Sequence, residues 1–263
     1  MKGITLHSVL PVRTEPSEAA ELNTELLFGE TVEILDRKPR WVWIKTDKDN
    51  IEGWVDSKML IDLTDDEYKQ VINAYSTPAV RIIVPVAFAL SVGNGQTIPL
   101  AAGTVLPNYD KGSFEILGAK FNIEPQAVAL PLTFSEEQFL STARFFLNSP
   151  YLWGGKTMFG FDCSGFTQVL FSLFGISLPR NASQQVMEGE TIDFLSEARL
   201  GDLAFFDHGN GGTISHVGIL LDDKRILHCS GRVKIDRIDP NGIICTETGE
   251  YSHNLRIIKR VLQ

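Results

Sequence analysis

The chain has 263 residues, of which 43% are hydrophobic and 22% are charged. These proportions are those of ordinary globular proteins, and they exclude disordered and fibrous classes. The formal net charge of −9 disfavours nucleic-acid binding, which needs basic side chains to neutralise phosphates. No apolar stretch reaches the roughly 18 residues of a membrane-spanning helix. We therefore expect no nucleic-acid partner and no membrane partner.

The N-terminus bears on where the protein works. Residues Met1 to His7 contain one lysine and no long apolar stretch, unlike a secretory signal. This predicts a cytoplasmic location, with export as the alternative if a leader has been removed.

The first half of the chain predicts short strands separated by turns. Strands at Trp41 to Lys45 and Gly53 to Val55 flank a polar turn, and a similar rhythm recurs from Ala101 to Leu117. A helix is predicted from Asp65 to Tyr75. We predict two small β-barrels and a helical linker, at residues 1–63, 80–132 and 64–79 respectively. One larger all-β domain is the alternative that the pattern leaves open.

From residue 133 onwards, helices precede strands. Ser135 and Gln138 have the spacing of a capping box, and apolar residues then follow at helical spacing until Pro150. Further helices are predicted at about 164–174 and 182–188. Strands are predicted at 202–206, 216–221, 225–229, 233–235 and 255–261. This order indicates an α+β fold for a domain at 133–263.

Three cysteines, Cys163, Cys229 and Cys245, lack CxxC spacing. A disulfide framework or a four-cysteine zinc site is therefore unexpected. Cys163 lies at the predicted start of the second helix, where backbone N–H groups and the helix dipole stabilise a thiolate and lower its pKa. An inert, buried cysteine is the alternative, and the polar and glycine neighbours of Cys163 argue against it.

A general base is sought among five histidines. His7 and His253 lie near the chain ends, and His208 lies in a glycine-rich stretch. His216 opens one predicted strand and His228 closes the next, so a hairpin would make them neighbours. A general base and the side chain that orients it must lie within hydrogen-bonding distance, as these two neighbours would.

Zinc binding is a competing interpretation of the same histidines. The ligands would be His216 and His228, with Asp202 or Cys229. No HExxH or paired-cysteine spacing supports this interpretation, so we expect no metal and no other cofactor.

Asp162 precedes the candidate nucleophile directly. A carboxylate beside a thiolate costs electrostatic energy, which a cationic substrate group would offset. The alternative is that Asp162 serves as the N-cap of the helix. Both interpretations fit the sequence.

Five motifs, in this order, resemble the NlpC/P60 family of papain-like cysteine peptidases, which act on bacterial cell-wall peptides. They are Tyr151 to Gly155, Asp162 to Phe166, Gly201 to Leu203, His216 to Ile219, and His228. The resemblance covers about residues 134–263 and implies a papain-like catalytic domain. Implied roles are Cys163 as nucleophile, His216 as general base, His228 as the orienting third member and Tyr151 near the oxyanion site. Such enzymes cut the bond between γ-D-glutamate and a diamino acid without a metal.

The upstream residues resemble the bacterial SH3-like modules of one branch of this family, the dipeptidyl-peptidases that recycle wall peptides. Segments Pro16 to Glu18, Leu27 to Glu30 and Gly53 to Val55 carry this resemblance, whereas Ile51-Glu52 stands where the branch often has a tyrosine. That branch requires a free N-terminal L-alanine held by acidic residues. The resemblance implies this role for Asp162 and Glu21, and further substrate contacts for Ser164 and Ser183.

Hydrolysis of murein-derived peptides with a free N-terminal L-alanine, for recycling, is therefore the expected function. One alternative is an exported wall hydrolase that acts on intact stem peptides. Another is a wall-binding protein that has lost activity, against which the intact Cys163, His216 and His228 argue.

Overall fold

The computed structural model describes residues 1–75, 79–207 and 212–262, which fold into two compact units. The first unit comprises Met1–Thr133, Trp153–Met158 and Leu173–Gly175; the second comprises Phe134–Leu152, Phe159–Ser172 and Ile176–Gln263. None of the helices in these described ranges has both the length and the apolar content needed to cross a membrane.

The first unit is built mainly from antiparallel strands. Seven strands form one sheet in the order β3-β2-β6-β5-β4-β1-β7: β1 (Lys2–Ile4), β2 (Val9–Arg13), β3 (Leu22–Leu27), β4 (Thr31–Arg37), β5 (Trp41–Thr46), β6 (Glu52–Asp56) and β7 (Ile61–Leu63). The predicted strands around Trp43 and Trp54 are confirmed as the β5–β6 pair, in which these two residues face each other.

A second set of strands follows the helix α1 (Asp65–Ala74). Four form a sheet in the order β10-β9-β12-β11 and two form the pair β13-β8: β8 (Arg81–Ile82), β9 (Val86–Ser91), β10 (Thr97–Ala101), β11 (Ser113–Ile116), β12 (Ala119–Asn122) and β13 (Val128–Ala129). Each described pairing of the two sets joins strands within residues 1–63 or within residues 80–132.

The helix α1 begins where its capping residues require. The Thr64 hydroxyl accepts the Glu67 N–H, and the Glu67 carboxylate accepts the Thr64 N–H, which completes a capping box. Acidic residues in the first turn complement the positive end of the helix dipole. The helix predicted from Asp65 is therefore confirmed.

Packing joins the two sets of strands that pairing separates. Phe28 of the first set contacts Phe114 and Phe121 of the second edge-on, with ring centroids 6.0 and 5.7 Å apart. All three rings belong to one buried hydrophobic cluster. The two predicted barrels thus share part of one core.

The first unit also includes the segment Trp153–Met158, which contains β14 (Lys156–Thr157). Lys156 is 1% exposed; its N–H donates to Glu25 at 2.7 Å and its ammonium lies 3.4 Å from the Glu30 carboxylate. Gly154 has a φ of +79°, and a Cβ there would lie 2.5 Å from the Leu22 carbonyl oxygen. Only glycine tolerates both conditions.

In the elements that follow, the helices precede the strands of the large sheet. These elements are α2 (Glu136–Arg144), β15 (Gly160–Phe161), α3 (Cys163–Leu173), α4 (Ala182–Gln185), β16 (Glu190–Ile192), β17 (Leu203–Asp207), β18 (His216–Leu220), β19 (Arg225–Ser230), β20 (Arg232–Asp239), β21 (Gly242–Ile244) and β22 (Tyr251–Arg260). Strands β16 to β22 form one antiparallel sheet in the order β16-β22-β17-β18-β19-β20-β21, and β22 also pairs with β21.

The predicted capping box of α2 is half formed. The Ser135 hydroxyl accepts the Gln138 N–H, as predicted. The Gln138 amide, however, donates to the Thr142 hydroxyl at 3.2 Å instead of reaching back to Ser135. Thr142 lies one turn further along the same helix face, within reach of this side chain.

Two strands are longer than predicted. β20 covers Arg232–Asp239 and β22 covers Tyr251–Arg260, whereas the prediction had 233–235 and 255–261. Charged residues such as Asp236 break the apolar pattern of β20. Pairing with β19 and β21 on its two sides nevertheless holds these residues in the sheet.

Candidate active site

Cys163 is the first residue of α3, and three phenylalanines fix that end of the helix. Phe146, Phe161 and Phe166 are buried and pack edge to face, with ring centroids 5.6, 5.7 and 6.3 Å apart. Such pairs contribute about 0.5–1.5 kcal/mol each beyond burial. This packing holds Cys163 in a defined position.

The thiol of Cys163 is buried among polar groups. Burial, with a smaller contribution from the Asp162 charge, raises its pKa to about 11. The N–H groups of Val217 and Ser164 donate to the sulfur and act in the opposite direction, as does Arg180. The expectation of a lowered pKa is therefore wrong, because burial outweighs the helix-start N–H groups. The resting side chain is a neutral thiol that needs a base.

His216 and His228 lie on neighbouring strands and contact each other. In the β18–β19 pairing Gly218 faces His228, so His216 lies diagonally from His228 on the same face of the sheet. His216 Nε2 is 2.9 Å from His228 Nδ1, and both rings are buried. The predicted hairpin contact is confirmed. The Val217 N–H that donates to the Cys163 sulfur belongs to the residue directly after His216. The thiol therefore lies at the beginning of β18, where His216 is located.

Gly218 leaves the space that this contact needs. A Cβ at this position would lie 2.8 Å from the His228 Cβ and 2.7 Å from Ile226 Cδ1. Packed carbon atoms stay about 3.5–4.0 Å apart. A side chain at residue 218 would therefore displace His228 from its position beside His216.

Sequence reasoning missed Asp236. Its Oδ2 lies 3.0 Å from His228 Nε2 and 3.1 Å from Lys234 Nζ, and its Oδ1 accepts the Thr246 N–H at 2.8 Å. Burial acts to raise the pKa of Asp236, but these hydrogen bonds outweigh it and hold the pKa well below its usual range. Burial lowers the pKa of His228. A neutral His228 therefore lies between an ionised carboxylate and His216.

His253, which lies near the end of the chain, stacks on His216. The ring centroids are 4.1 Å apart and the planes are inclined by 26°. Phe206 packs against both rings. No local signal could reveal this contact, because β22 reaches the site through its pairing with β17 and β21. His208, another candidate base, lies outside the described residues.

Asp162 forms a buried ion pair with Arg180, a residue that the sequence prediction did not include. The guanidinium lies 3.0 Å from Oδ1 and 2.5 Å from Oδ2, and the two side chains are 9% and 1% exposed. Oδ1 also accepts the Gly165 N–H at 2.6 Å, the hydrogen bond expected of an N-cap. Arg180 therefore supplies, within the chain, the positive charge that the sequence interpretation assigned to a substrate. This ion pair accounts for the Asp162 charge without a substrate, and a contact between Asp162 and a substrate ammonium stays a prediction.

The other predicted substrate contacts have different surroundings. The Ser164 hydroxyl lies in the buried cluster, 3.2 Å from Asp162 Oδ1 and 3.0 Å from Arg180 Nη1. Ser183 is exposed in α4, and Glu21 is exposed just before β3 in the first unit. The substrate-binding roles of these residues stay predictions.

Tyr151 is half-buried, and its N–H donates to the Gly231 carbonyl at 2.9 Å. Burial, together with the neighbouring Cys163, raises the pKa of its hydroxyl. The hydroxyl therefore keeps its proton near neutral pH and can act as a hydrogen-bond donor.

The candidate zinc ligands make other contacts. His216 and His228 direct a ring nitrogen at each other, Asp202 pairs with Arg260, and the Cys229 thiol donates to a backbone carbonyl. Within residues 1–75, 79–207 and 212–262, no group of three His, Cys, Asp or Glu side chains is arranged to hold a metal ion.

Comparison with known proteins gives matches to both halves of the chain. The NlpC/P60 family matches residues 148–248, and the bacterial dipeptidyl-peptidase Sh3 domain matches residues 12–60. A gamma-D-glutamyl-L-lysine dipeptidyl-peptidase of Bacillus subtilis is 33% identical over 223 residues, which cover 79% of this chain and 72% of the relative. The protein of the same name from Bacillus cereus is 28% identical over 236 residues, 81% and 68% of the two chains.

Solved structures show the same fold. An NlpC/P60 family protein from Bacillus cereus matches over the full length of both chains with a TM-score of 0.82 and 22% identity. An NlpC/P60 endopeptidase from Photobacterium damselae matches 97% of this chain and 70% of its own, with a TM-score of 0.72 and 19% identity. The predicted fold class is confirmed: an α+β chain in which an SH3-like module and a second small barrel precede an NlpC/P60 domain.

Proposed function

The chain belongs to the NlpC/P60 family of cysteine peptidases, and on that premise we propose that it cleaves the γ-D-glutamyl–diamino acid bond of peptidoglycan-derived peptides. The observation that carries this proposal is the buried His216–His228 pair at the strand whose backbone contacts the Cys163 thiol. The names of the two Bacillus relatives support the choice of bond.

Attack begins with proton transfer from the thiol. Because His216 Nε2 is engaged with His228, His216 Nδ1 is the nitrogen that takes the Cys163 proton. The sulfur then attacks the γ-carbonyl carbon of D-glutamate and forms a tetrahedral oxyanion. A base is essential here, since the pKa of Cys163 is raised to about 11.

The oxyanion needs hydrogen-bond donors in a fixed position. The first N–H groups of a helix have no intrahelical acceptor, so the Cys163 N–H is one donor. The protonated Tyr151 hydroxyl is the second. The His216 imidazolium next protonates the departing amine, the C–N bond breaks, and a thioester remains. Water, deprotonated by His216, hydrolyses the thioester and regenerates the thiol.

A dipeptidyl-peptidase acts next to a free N-terminus, and we extend the proposal to peptides that begin with L-Ala-γ-D-Glu. The Sh3-domain match and the names of the relatives support this extension. The residues predicted to contact such a substrate are Asp162, Ser164, Ser183 and Glu21. Peptides with a free alanine amine arise once stems have left the glycan, so we also propose a role in cytoplasmic recycling.

The first experiment measures cleavage of L-Ala-γ-D-Glu-L-Lys by the full chain and by two cysteine variants. We expect Cys163→Ala to abolish cleavage, and Cys245→Ser, at a partly exposed cysteine, to retain it. Undiminished cleavage by Cys163→Ala would overturn the proposed mechanism. No cleavage by the unmodified protein would favour a wall-binding role.

Acetylation of the substrate amine tests the finer proposal. We expect the acetylated peptide to be cut at least about tenfold more slowly, because a charged group that loses its partner costs about 1.4 kcal/mol or more. Equal rates would reject the free-amine requirement and favour a hydrolase of intact stems. Replacing lysine by diaminopimelate in both peptides then identifies the preferred third residue.

A further inference from the structure

The sheet carries a diagonal line of three buried polar side chains. His216 on β18, His228 on β19 and Asp236 on β20 lie on successive strands, joined by contacts of 2.9 and 3.0 Å. All three are at most 4% exposed. Buried polar groups in such a line must divide donors and acceptors among themselves without help from solvent.

The division starts from the carboxylate. An ionised carboxylate only accepts hydrogen bonds, so His228 Nε2 must carry a proton to contact Asp236. A neutral His228 then has an unprotonated Nδ1, which accepts from His216 Nε2. In a neutral His216, the proton on Nε2 leaves Nδ1 as an acceptor. That is the form that a general base needs toward the Cys163 thiol.

Resting on the function proposed above, we propose that Asp236 is a positioning residue for catalysis. Through His228, it fixes the tautomer of His216, so that the basic nitrogen of His216 is available to Cys163.

The surroundings of Asp236 hold the carboxylate in this role. The Thr246 N–H donates to Oδ1 of the carboxylate, and Lys234 Nζ shares Oδ2 with His228. The positive charge of Lys234 favours the ionised form. Without a carboxylate at residue 236, His228 could protonate Nδ1 instead. His216 Nε2 would then accept the hydrogen bond from His228, and His216 would carry its own proton on Nδ1. The Cys163 proton would then have no acceptor.

Substitution Asp236→Asn tests the proposal, because an amide can also present its NH₂ group to His228 and so permit the wrong tautomer. We expect kcat for peptide cleavage to fall at least about tenfold, and up to about 10⁴-fold, with KM changed less than twofold. The matched control is Asp202→Asn, at a buried carboxylate that pairs with Arg260. We expect its kcat per folded molecule to stay within about twofold of the unmodified protein.

A double-substitution cycle separates positioning from general structural damage. If Asp236 acts through His228, then Asp236→Asn should change kcat less than about twofold once His228→Ala is present. Losses that multiply in the double variant would overturn the proposal. So would an unchanged kcat in Asp236→Asn alone.

Histidine ¹⁵N spectra of the unmodified chain give a readout that does not depend on cleavage of a peptide. The proposal requires the Nε2–H tautomer at both His216 and His228, assigned by comparison with His228→Ala. An Nδ1–H tautomer at His228 would overturn it. If the peptide is not cleaved but both tautomers are as expected, the proposed function fails while the role of Asp236 stands.

Discussion

Loss of Arg180 should destabilise the catalytic part of the chain by removing the partner of a buried charge. The substitution Arg180→Met keeps much of the side-chain volume and leaves Asp162 without its guanidinium. Breaking a buried ion pair by removing one partner costs about 3–5 kcal/mol. Because the Asp162 and Arg180 side chains are only 9% and 1% exposed, solvent does not screen the charge that remains.

The cost exceeds that of an ordinary ion pair, because three hydrogen bonds are lost together. Arg180 donates to both oxygens of Asp162 and to the Ser164 hydroxyl. At about 2–4 °C per kcal/mol for a folding unit of 150–250 residues, the melting temperature should fall by about 6–20 °C. Since the Arg180 charge also acts to lower the pKa of Cys163, its removal should raise that pKa further.

Thermal and urea unfolding, followed by circular dichroism, measure this loss. The control is Arg225→Met, which breaks an ion pair with Asp222 whose arginine is 60% exposed and should cost less than about 1 kcal/mol. Adding Asp162→Asn to Arg180→Met should recover at least about 2 kcal/mol relative to the sum of the single changes. A loss below about 1 kcal/mol in Arg180→Met would refute this account of the buried pair.

Three further predictions concern reactivity, stacking and backbone geometry. Because the pKa of Cys163 is raised to about 11, its iodoacetamide alkylation, followed by peptide mass spectrometry, should still accelerate between pH 8 and 10; a plateau below pH 8 would contradict this. His253→Ala should lower kcat about two- to tenfold by removing the ring that stacks on His216. His253→Phe keeps a ring there, and its kcat should stay within about twofold of the unmodified protein. Equal losses of kcat in the two variants would show that the ring nitrogens of His253 matter instead. Gly154→Ala should lower the free energy of unfolding by more than about 1 kcal/mol, since its φ is +79° and its Cβ would lie 2.5 Å from the Leu22 carbonyl oxygen. The control is Gly93→Ala, because a Cβ at Gly93 would lie in open space. Equal losses of stability in urea unfolding would contradict the steric reason.

Local patterns in the sequence were sufficient to find the elements that carry the nucleophile and the base. A helix beginning near Cys163 follows from its flanking residues, and a hairpin between His216 and His228 follows from alternation and a polar turn. Both inferences concern residues close together along the chain, where propensity and periodicity act.

The remaining groups of the site depend on contacts between distant segments. Asp236 and His253 reach the site only because of the register of β20 and the pairings of β22, which no local pattern determines. The predicted direction of the Cys163 pKa shift was wrong for a related reason. The helix start was visible in the sequence, whereas the burial that outweighs it depends on tertiary packing.

The segment Trp153–Met158 affects how this protein can be divided into fragments. It lies between Tyr151 and Cys163 in the chain, yet it belongs to the first unit, where Lys156 is buried against Glu25 and Glu30. A fragment that begins near residue 133 would keep the lysine and lose both carboxylates. The chain also enters the first unit again at Leu173–Gly175. The two units are therefore interwoven in sequence, and exchanging one for a homologous module would require grafting at several points along the chain.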